Sequence, residues 1–244
     1  IQPAAIQYAP LLGALGNEIQ PLLKDLEVYA GEQPAPDYSL GQEVEGLRRS
    51  ADAAGFEQFD LVGYSGGGAV ALAFVAAYPE RVRSLALSEP AVLPAQAWLQ
   101  QEAGYMDEVS RAVALPPDQS MPAFMRANLR AGVQPPAPPA GDPPPWMAKR
   151  PAGLQAMLRA FQAAAYTYEQ WRAFERPVYL AVGRLSNPVE ERKAFTLSEL
   201  FPNCQIEIYE QRHHFDPPQR AEPARFAVEL QALWARAGVK NLQG

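Results

Sequence analysis

The stretch at residues 59–82, FDLVGYSGGGAVALAFVAAYPERV, sets one serine between glycines, with Gly63 before Ser65 and Gly66, Gly67 and Gly68 after it. The six residues ahead of the serine, FDLVGY, form an apolar, β-prone run, and those from Gly66 to Tyr78 are alanine-rich and helix-forming. A Gly-x-Ser-x-Gly run between strand and helix has a mechanical logic. The serine stands clear of the backbone on a turn so tight that a side chain two residues away on either side would collide, and glycine removes those collisions. The following helix turns its free amides and the positive end of its dipole toward Ser65. Two rival readings lack their residues: a Walker loop ends in Gly-Lys-Ser/Thr, and a dinucleotide loop reads G-x-G-x-x-G. A third, a glycine-rich turn that merely packs closely, stays open at this point.

Outward from this stretch, short apolar runs alternate with helical patterns. AIQYAP (5–10), LEVYAG (26–31), FDLVGY (59–64), VRSLALSE (82–89), PVYLAVG (177–183) and QIEIYE (205–210) read as strands. Several are apolar at consecutive positions, as strands covered on both faces of a parallel sheet are. Helices are expected over about 17–24, 39–54, 66–78, 187–200 and 219–237. The alternation predicts an α/β fold, a three-layer α/β/α core with a mostly parallel sheet. Residues 91–175 break the rhythm: the pattern is helical, interrupted by GVQPPAPPAGDPPPW (132–146), whose prolines favour extended backbone. The expected organisation is a core of 1–90 and 176–244 with a helical cap, 91–175, inserted between core strands. No internal repeat is visible.

Composition narrows the function class. The 244 residues are 48% hydrophobic, enough for a substantial core, and no apolar run is long enough to span a membrane. The net charge of −6 and the scattered basic residues argue against nucleic acid as a partner. Cys204 is the one cysteine, so no internal disulfide forms, and a structural zinc site has no ligand cluster. The first ten residues lack the basic-then-apolar layout of a signal peptide, and together these features lead us to expect a cytoplasmic location. His213 and His214 are the only histidines, so any histidine chemistry uses one of this pair.

With LVGYSGGGAVALAFVAAYPERVRSLALSEP around the serine, PVYLAVG after the insertion and EIYEQRHHFDPPQRAEPARF near the end, the chain resembles the α/β-hydrolase superfamily over essentially its whole length. The resemblance implies a serine nucleophile, Ser65, with a histidine in the loop after the last strand. His214 occupies that position, with His213 as the fallback. The usual place for the acid, within VGRLSNPVEE, holds Ser186 and Asn187, neither ionisable. Some relatives carry the acid at the end of the strand after the nucleophile helix, which here is Glu89; Glu190 and Asp216 are the substitutes. The order Ser65, Glu89, His214 agrees with this fold. The resemblance also implies an oxyanion hole from the amide of Gly66 and one from the first loop, assigned to Ala14 within APLLGALGN.

The expected chemistry is acyl transfer to water without metal or organic cofactor: a serine hydrolase acting on an ester, lactone, thioester, amide or activated carbon–carbon bond. The substrate is expected to be a small molecule with an apolar acyl or aryl group. Trp98, Tyr105, Met106, Phe124, Met125, Trp146, Met157, Phe161, Tyr166 and Tyr168 are the cap residues that would line its pocket or pack the cap on the core. A non-catalytic binding protein that keeps the fold is the alternative, supported by the missing acid at the usual site and by Leu12 where the family often has histidine.

Overall fold

The structure is a computed structural model that describes residues 2–17, 19–91, 102–137 and 142–239. Four parallel strands, β1 (Phe59–Tyr64), β2 (Val82–Ser88), β3 (Val178–Gly183) and β4 (Cys204–Tyr209), lie in the order β1-β2-β3-β4. They coincide with the last four strands expected from the sequence. β3 is buried along its whole length, which accounts for its uninterrupted apolar run.

Alternate side chains divide between two apolar layers. Leu85, Leu87, Val178, Leu180 and Val182 pack on one face with Leu40 and Val44 of α2 (Leu40–Ala53) and with α3 (Gly66–Ala77). Ala86, Tyr179, Ala181 and Tyr209 pack on the other with Leu11 and Leu15 of α1 (Ala4–Leu15) and with Phe226, Leu230 and Leu233 near the C-terminus. The result is the expected three-layer sandwich.

The first two expected strands are not strands. Residues 5–10 fall within α1, where Ala4, Gln7, Leu11 and Leu15 are buried. Their spacing of three, four and four residues is helical, and tertiary packing on the C-terminal helix selects it over the β-prone reading. Residues 26–31 contain only a 3₁₀ turn, Glu27–Tyr29. Here the amides of Glu27 and Val28 donate to the carboxylate of Glu43 on α2, at 2.8 and 3.0 Å, and Tyr38 Oη donates to the same group at 2.9 Å. A buried side chain thus takes the donors that a strand neighbour would have taken.

The helix expected over 17–24 is absent among the described residues. Gly16, at φ 73°, closes α1, and Pro21 lacks an amide to continue a helix. The C-terminal helix is interrupted by Pro223, which ends α9 (Pro218–Ala221) and opens α10 (Pro223–Val239).

Between β2 and β3 the α-helices among the described residues are α4 (Ala103–Ala114), α5 (Pro117–Ala127), α6 (Arg150–Ala163) and α7 (Tyr168–Arg172). Val109, Val113, Ala127 and Leu154 give this insertion its own small core. It is tied to the loop after β3: the amide of Asn187 donates to Asn128 O, Asn187 Nδ2 to Ala127 O, and the amide of Arg130 to Leu185 O, all at 2.9–3.0 Å. Arg192 on α8 (Val189–Leu200) adds an ion pair with Glu102. None of the described helices is long and apolar enough to cross a membrane.

Candidate active site

Ser65 stands at the junction of β1 and α3 with φ 50° and ψ −122°. Among the described non-glycine residues only Ser65 and Glu89 have positive φ. Such conformations cost energy and persist where surrounding contacts enforce them. The contacts here are backbone: Ser65 N–H donates to Ser88 O at 3.1 Å, while Ser65 O accepts from Ala69 N–H at 3.1 Å and Ala91 N–H at 2.9 Å.

The collision argument for the flanking glycines holds on one side only. A Cβ on Gly63 would lie 2.8 Å from Gly67 O and from Gly68 Cα, so β1 and the start of α3 approach too closely for any side chain. A Cβ on Gly67 would meet nothing within 4 Å, which corrects the sequence-based expectation at that position. After the serine, a Cβ on Gly66 would collide with the flexible end of Met157, and one on Gly68 would sit 2.8 Å from the backbone at Pro90 Cα.

His214 comes from the turn after β4 and is 3% exposed. Its Nε2 is 3.1 Å from Ser65 Oγ, and its Nδ1 is 2.7 Å from Glu89 Oε2. Tyr64 Oη donates to the His214 carbonyl and fixes the loop from below. His213 is engaged elsewhere: its Nδ1 accepts from the amide of Phe215 at 3.2 Å.

Glu89 directly follows β2, at φ 42°, and is 4% exposed. The positive φ swings its side chain across the ends of β2 and β3. Oε1 accepts from Gly183 N–H at 2.7 Å and from Ser186 Oγ at 2.6 Å, leaving Oε2 for the imidazole. Burial alone would raise the Glu89 pKa. The hydrogen bond and charge of His214, joined by the Ser186 and Gly183 donors, outweigh it and hold the carboxyl below its ordinary value. Sequence reasoning placed Ser186 in the position usually held by the acid but gave it no role; here it orients the carboxylate that stands in.

Neither substitute acid reaches the imidazole as Glu89 does. Asp216 pairs with Arg212 at 2.6 Å. Glu190 pairs with Lys193 at 2.7 Å, both 1% exposed. Burial raises the Glu190 pKa, Lys193 opposes that, and the charge of Glu89 adds to it. One ligating atom from each of Glu89, Glu190 and His214 falls within 4.8 Å of the others, the one such three-residue cluster among the described residues.

Two cavities meet at Ser65 and Gly66. A small one, about 60 Å³, lies under the inserted helices and is lined by Ser65, His214, Glu190, Asn128 and Tyr105 with Met106, Phe124, Met157 and Phe161 among its apolar residues. A larger groove, about 810 Å³, follows the free edge of β1 between α1, α2 and α10. Of the aromatic and methionine residues expected at the pocket, Trp98 lies outside the described residues. Met125, Trp146, Tyr166 and Tyr168 are not in the lining of either cavity. Tyr166 instead packs on Trp171, with ring centroids 5.7 Å apart, and Arg150 covers Trp146.

Gly66 occupies the first position of α3, where helix geometry leaves the amide without an intrahelical acceptor. Ala14 does not join it. The loop expected to carry it is the last turn of α1, and Ala14 is exposed there, outside the lining of both cavities. The cause is the helical packing of Leu11 and Leu15, which draws the whole segment into α1.

Comparison with known proteins identifies the family and the fold. Residues 28–218 match a family described as alpha/beta hydrolase fold. A 2-hydroxymuconate semialdehyde hydrolase of Pseudomonas putida is 30% identical over 219 residues, covering 84% of this chain and 73% of that protein. Among solved structures, a thermophilic esterase from Thermogutta terrifontis superposes with a TM-score of 0.69 at 18% identity, covering 97% of this chain and 87% of that one. A meta-cleavage product hydrolase from Pseudomonas fluorescens IP01 gives 0.62 at 16% identity, covering 96% and 86%.

Proposed function

The chain belongs to the α/β-hydrolase family, and from that premise we propose that it is a serine hydrolase that transfers an acyl group from a small molecule to water through Ser65. That it is a hydrolase follows from the family and from the P. putida relative. The finer reading rests above all on one observation: Ser65 Oγ, the two ring nitrogens of His214 and Glu89 Oε2 form an unbroken relay, with steps of 3.1 and 2.7 Å.

In this reading Ser65 Oγ attacks the substrate carbonyl carbon while His214 Nε2 takes its proton. Glu89 keeps the other proton on Nδ1 and stabilises the imidazolium that forms. The Gly66 amide and the α3 dipole stabilise the oxyanion. His214 then returns the proton to the leaving group, and water, deprotonated by the same imidazole, releases the acyl group. Residues 1–90 and 176–244 act as the catalytic core and 91–175 as a cap over the small cavity. Met106, Phe124, Met157 and Phe161 there suit an apolar acyl or aryl portion.

The bond cleaved is an ester-like one or an activated carbon–carbon bond. The P. putida relative favours the second, since it is a hydrolase of 2-hydroxymuconate semialdehyde. Hydrolysis of 4-nitrophenyl acetate and butyrate tests the reading: the wild type turns over, and Ser65→Ala does not. Equal release of nitrophenol by both proteins refutes it and leaves a binding protein with the hydrolase fold.

A further inference from the structure

The small cavity contains a buried acceptor that the acyl-transfer chemistry leaves unused. Glu190, in the first turn of α8, lines it together with Ser65 and His214. The other polar side chains of that wall are occupied. Tyr105 Oη donates to Asn128 Oδ1 at 2.8 Å, and Asn128 Nδ2 donates to Phe124 O at 2.8 Å. Glu190 Oε2 is held by the Lys193 ammonium, which also donates to Pro90 O at 2.6 Å. Among the described residues neither Glu190 oxygen, both buried, accepts a hydrogen bond, and Oε1 lacks even the ion pair that Oε2 makes with Lys193.

A buried carboxylate oxygen without a donor bears the full cost of its desolvation, and such atoms are rare in folded proteins. The Lys193 ammonium faces Oε2, so the missing element is a partner for Oε1 from the cavity that Glu190 lines. Because Glu190 lies in one 4.8 Å cluster with Glu89 and the imidazole, a group that it holds sits close to the reacting carbonyl.

We infer that Glu190 Oε1 is an acceptor subsite for the substrate, selecting small acyl groups that carry an O–H or N–H donor on the carbon next to the scissile carbonyl. The inference deepens the reading of Ser65 as the nucleophile and rests on it. Substrate binding pairs the orphan oxygen. An acyl group that offers only an ether or methyl at the same place leaves that oxygen unpaired. Discrimination by a buried polar group works mainly through this penalty.

The test compares the 4-nitrophenyl esters of 2-hydroxypropanoic and 2-methoxypropanoic acid, similar in electronic character, with each kcat/KM divided by the uncatalysed rate. A hydrogen bond to a charged acceptor predicts a wild-type preference for the hydroxy ester of roughly tenfold to a hundredfold. The double variant Glu190→Leu, Lys193→Met removes both buried charges together and strands neither; its preference is expected to fall to within about twofold of unity. Glu190→Gln keeps an acceptor oxygen and retains an intermediate preference, which decides the matter if the double variant does not fold.

A wild-type ratio near one, or a ratio unchanged in both variants, overturns the subsite. Calorimetric binding of the same two esters to Ser65→Ala separates the two claims. Preference for the hydroxy ester there without wild-type turnover keeps the subsite and removes acyl transfer. Equal binding with normal turnover removes the subsite alone.

Discussion

Replacing Glu89 by glutamine keeps the side chain's shape and reverses the hydrogen-bond sense at the imidazole. The two glutamate oxygens are not equivalent: Oε1 takes two donors, the Gly183 amide and the Ser186 hydroxyl, while Oε2 takes His214 Nδ1. A glutamine carbonyl at the Oε1 position preserves both of those bonds. The flipped amide would face them with its NH₂ and strand the buried Gly183 N–H, which has no freedom to turn, at a cost of about 1–3 kcal/mol. The unflipped form therefore prevails by roughly fivefold to a hundredfold or more.

That form presents NH₂ to Nδ1, forces Nδ1 to accept, and moves the ring proton to Nε2, facing Ser65 Oγ. The imidazole can then no longer take the serine proton. The expected loss in kcat is about 10³–10⁴-fold, or roughly 4–5 kcal/mol of transition-state stabilisation. The assay is steady-state hydrolysis of a 4-nitrophenyl ester, with circular dichroism confirming the fold. Asp216→Asn, which alters only a partly exposed pair with Arg212, is expected to stay within about threefold of wild type. If Glu89→Gln keeps more than about a tenth of wild-type turnover, or Asp216→Asn loses as much as it does, the argument fails.

Other consequences are equally concrete. Gly63→Ala forces a Cβ to 2.8 Å from two backbone atoms and is expected to cost about 1–3 kcal/mol in a denaturant melt. Gly67→Ala, with open space, is expected to be neutral or stabilising by up to about 1 kcal/mol; equal destabilisation of the two variants contradicts the reading of the turn. Met157→Ala enlarges the cavity beside Gly66, so the ratio of kcat/KM for benzoyl over acetyl esters should rise while stability falls by about 2–5 kcal/mol, and an unchanged ratio places Met157 outside the acyl pocket. Because the native Glu89 pKa lies below the ordinary value of a glutamate side chain, its contribution to stability is in full force above that ordinary value and is lost as pH falls through the native pKa. Acid titration of unfolding should show this component in wild type and a weaker pH dependence in Glu89→Gln.

The four strands were legible because β1 to β3 carry consecutive apolar residues and β4 alternates Ile206 and Ile208 with Gln205 and Glu207, and the serine turn because its glycines stand between a strand pattern and a helix pattern. The two N-terminal strands misled because their β-prone residues answer to distant partners. Leu11 and Leu15 follow α10, and the amides of Glu27 and Val28 follow a carboxylate sixteen and fifteen residues away. No local pattern encodes either. Glu89 was legible as a carboxylate closing a buried strand, but its positive φ and its hold on Gly183 and Ser186 depend on how β3 ends beside it. The Ala14 assignment failed with the strand that was to precede its loop.

The proposed function requires the Ser65 hydroxyl to be a nucleophile. Incubation with a fluorophosphonate, followed by digestion and mass spectrometry, reads this directly. One adduct is expected, on the peptide containing Ser65, formed by wild type, strongly slowed in Glu89→Gln and absent in Ser65→Ala. A folded wild-type protein that remains unmodified, or one modified at a different residue, contradicts it.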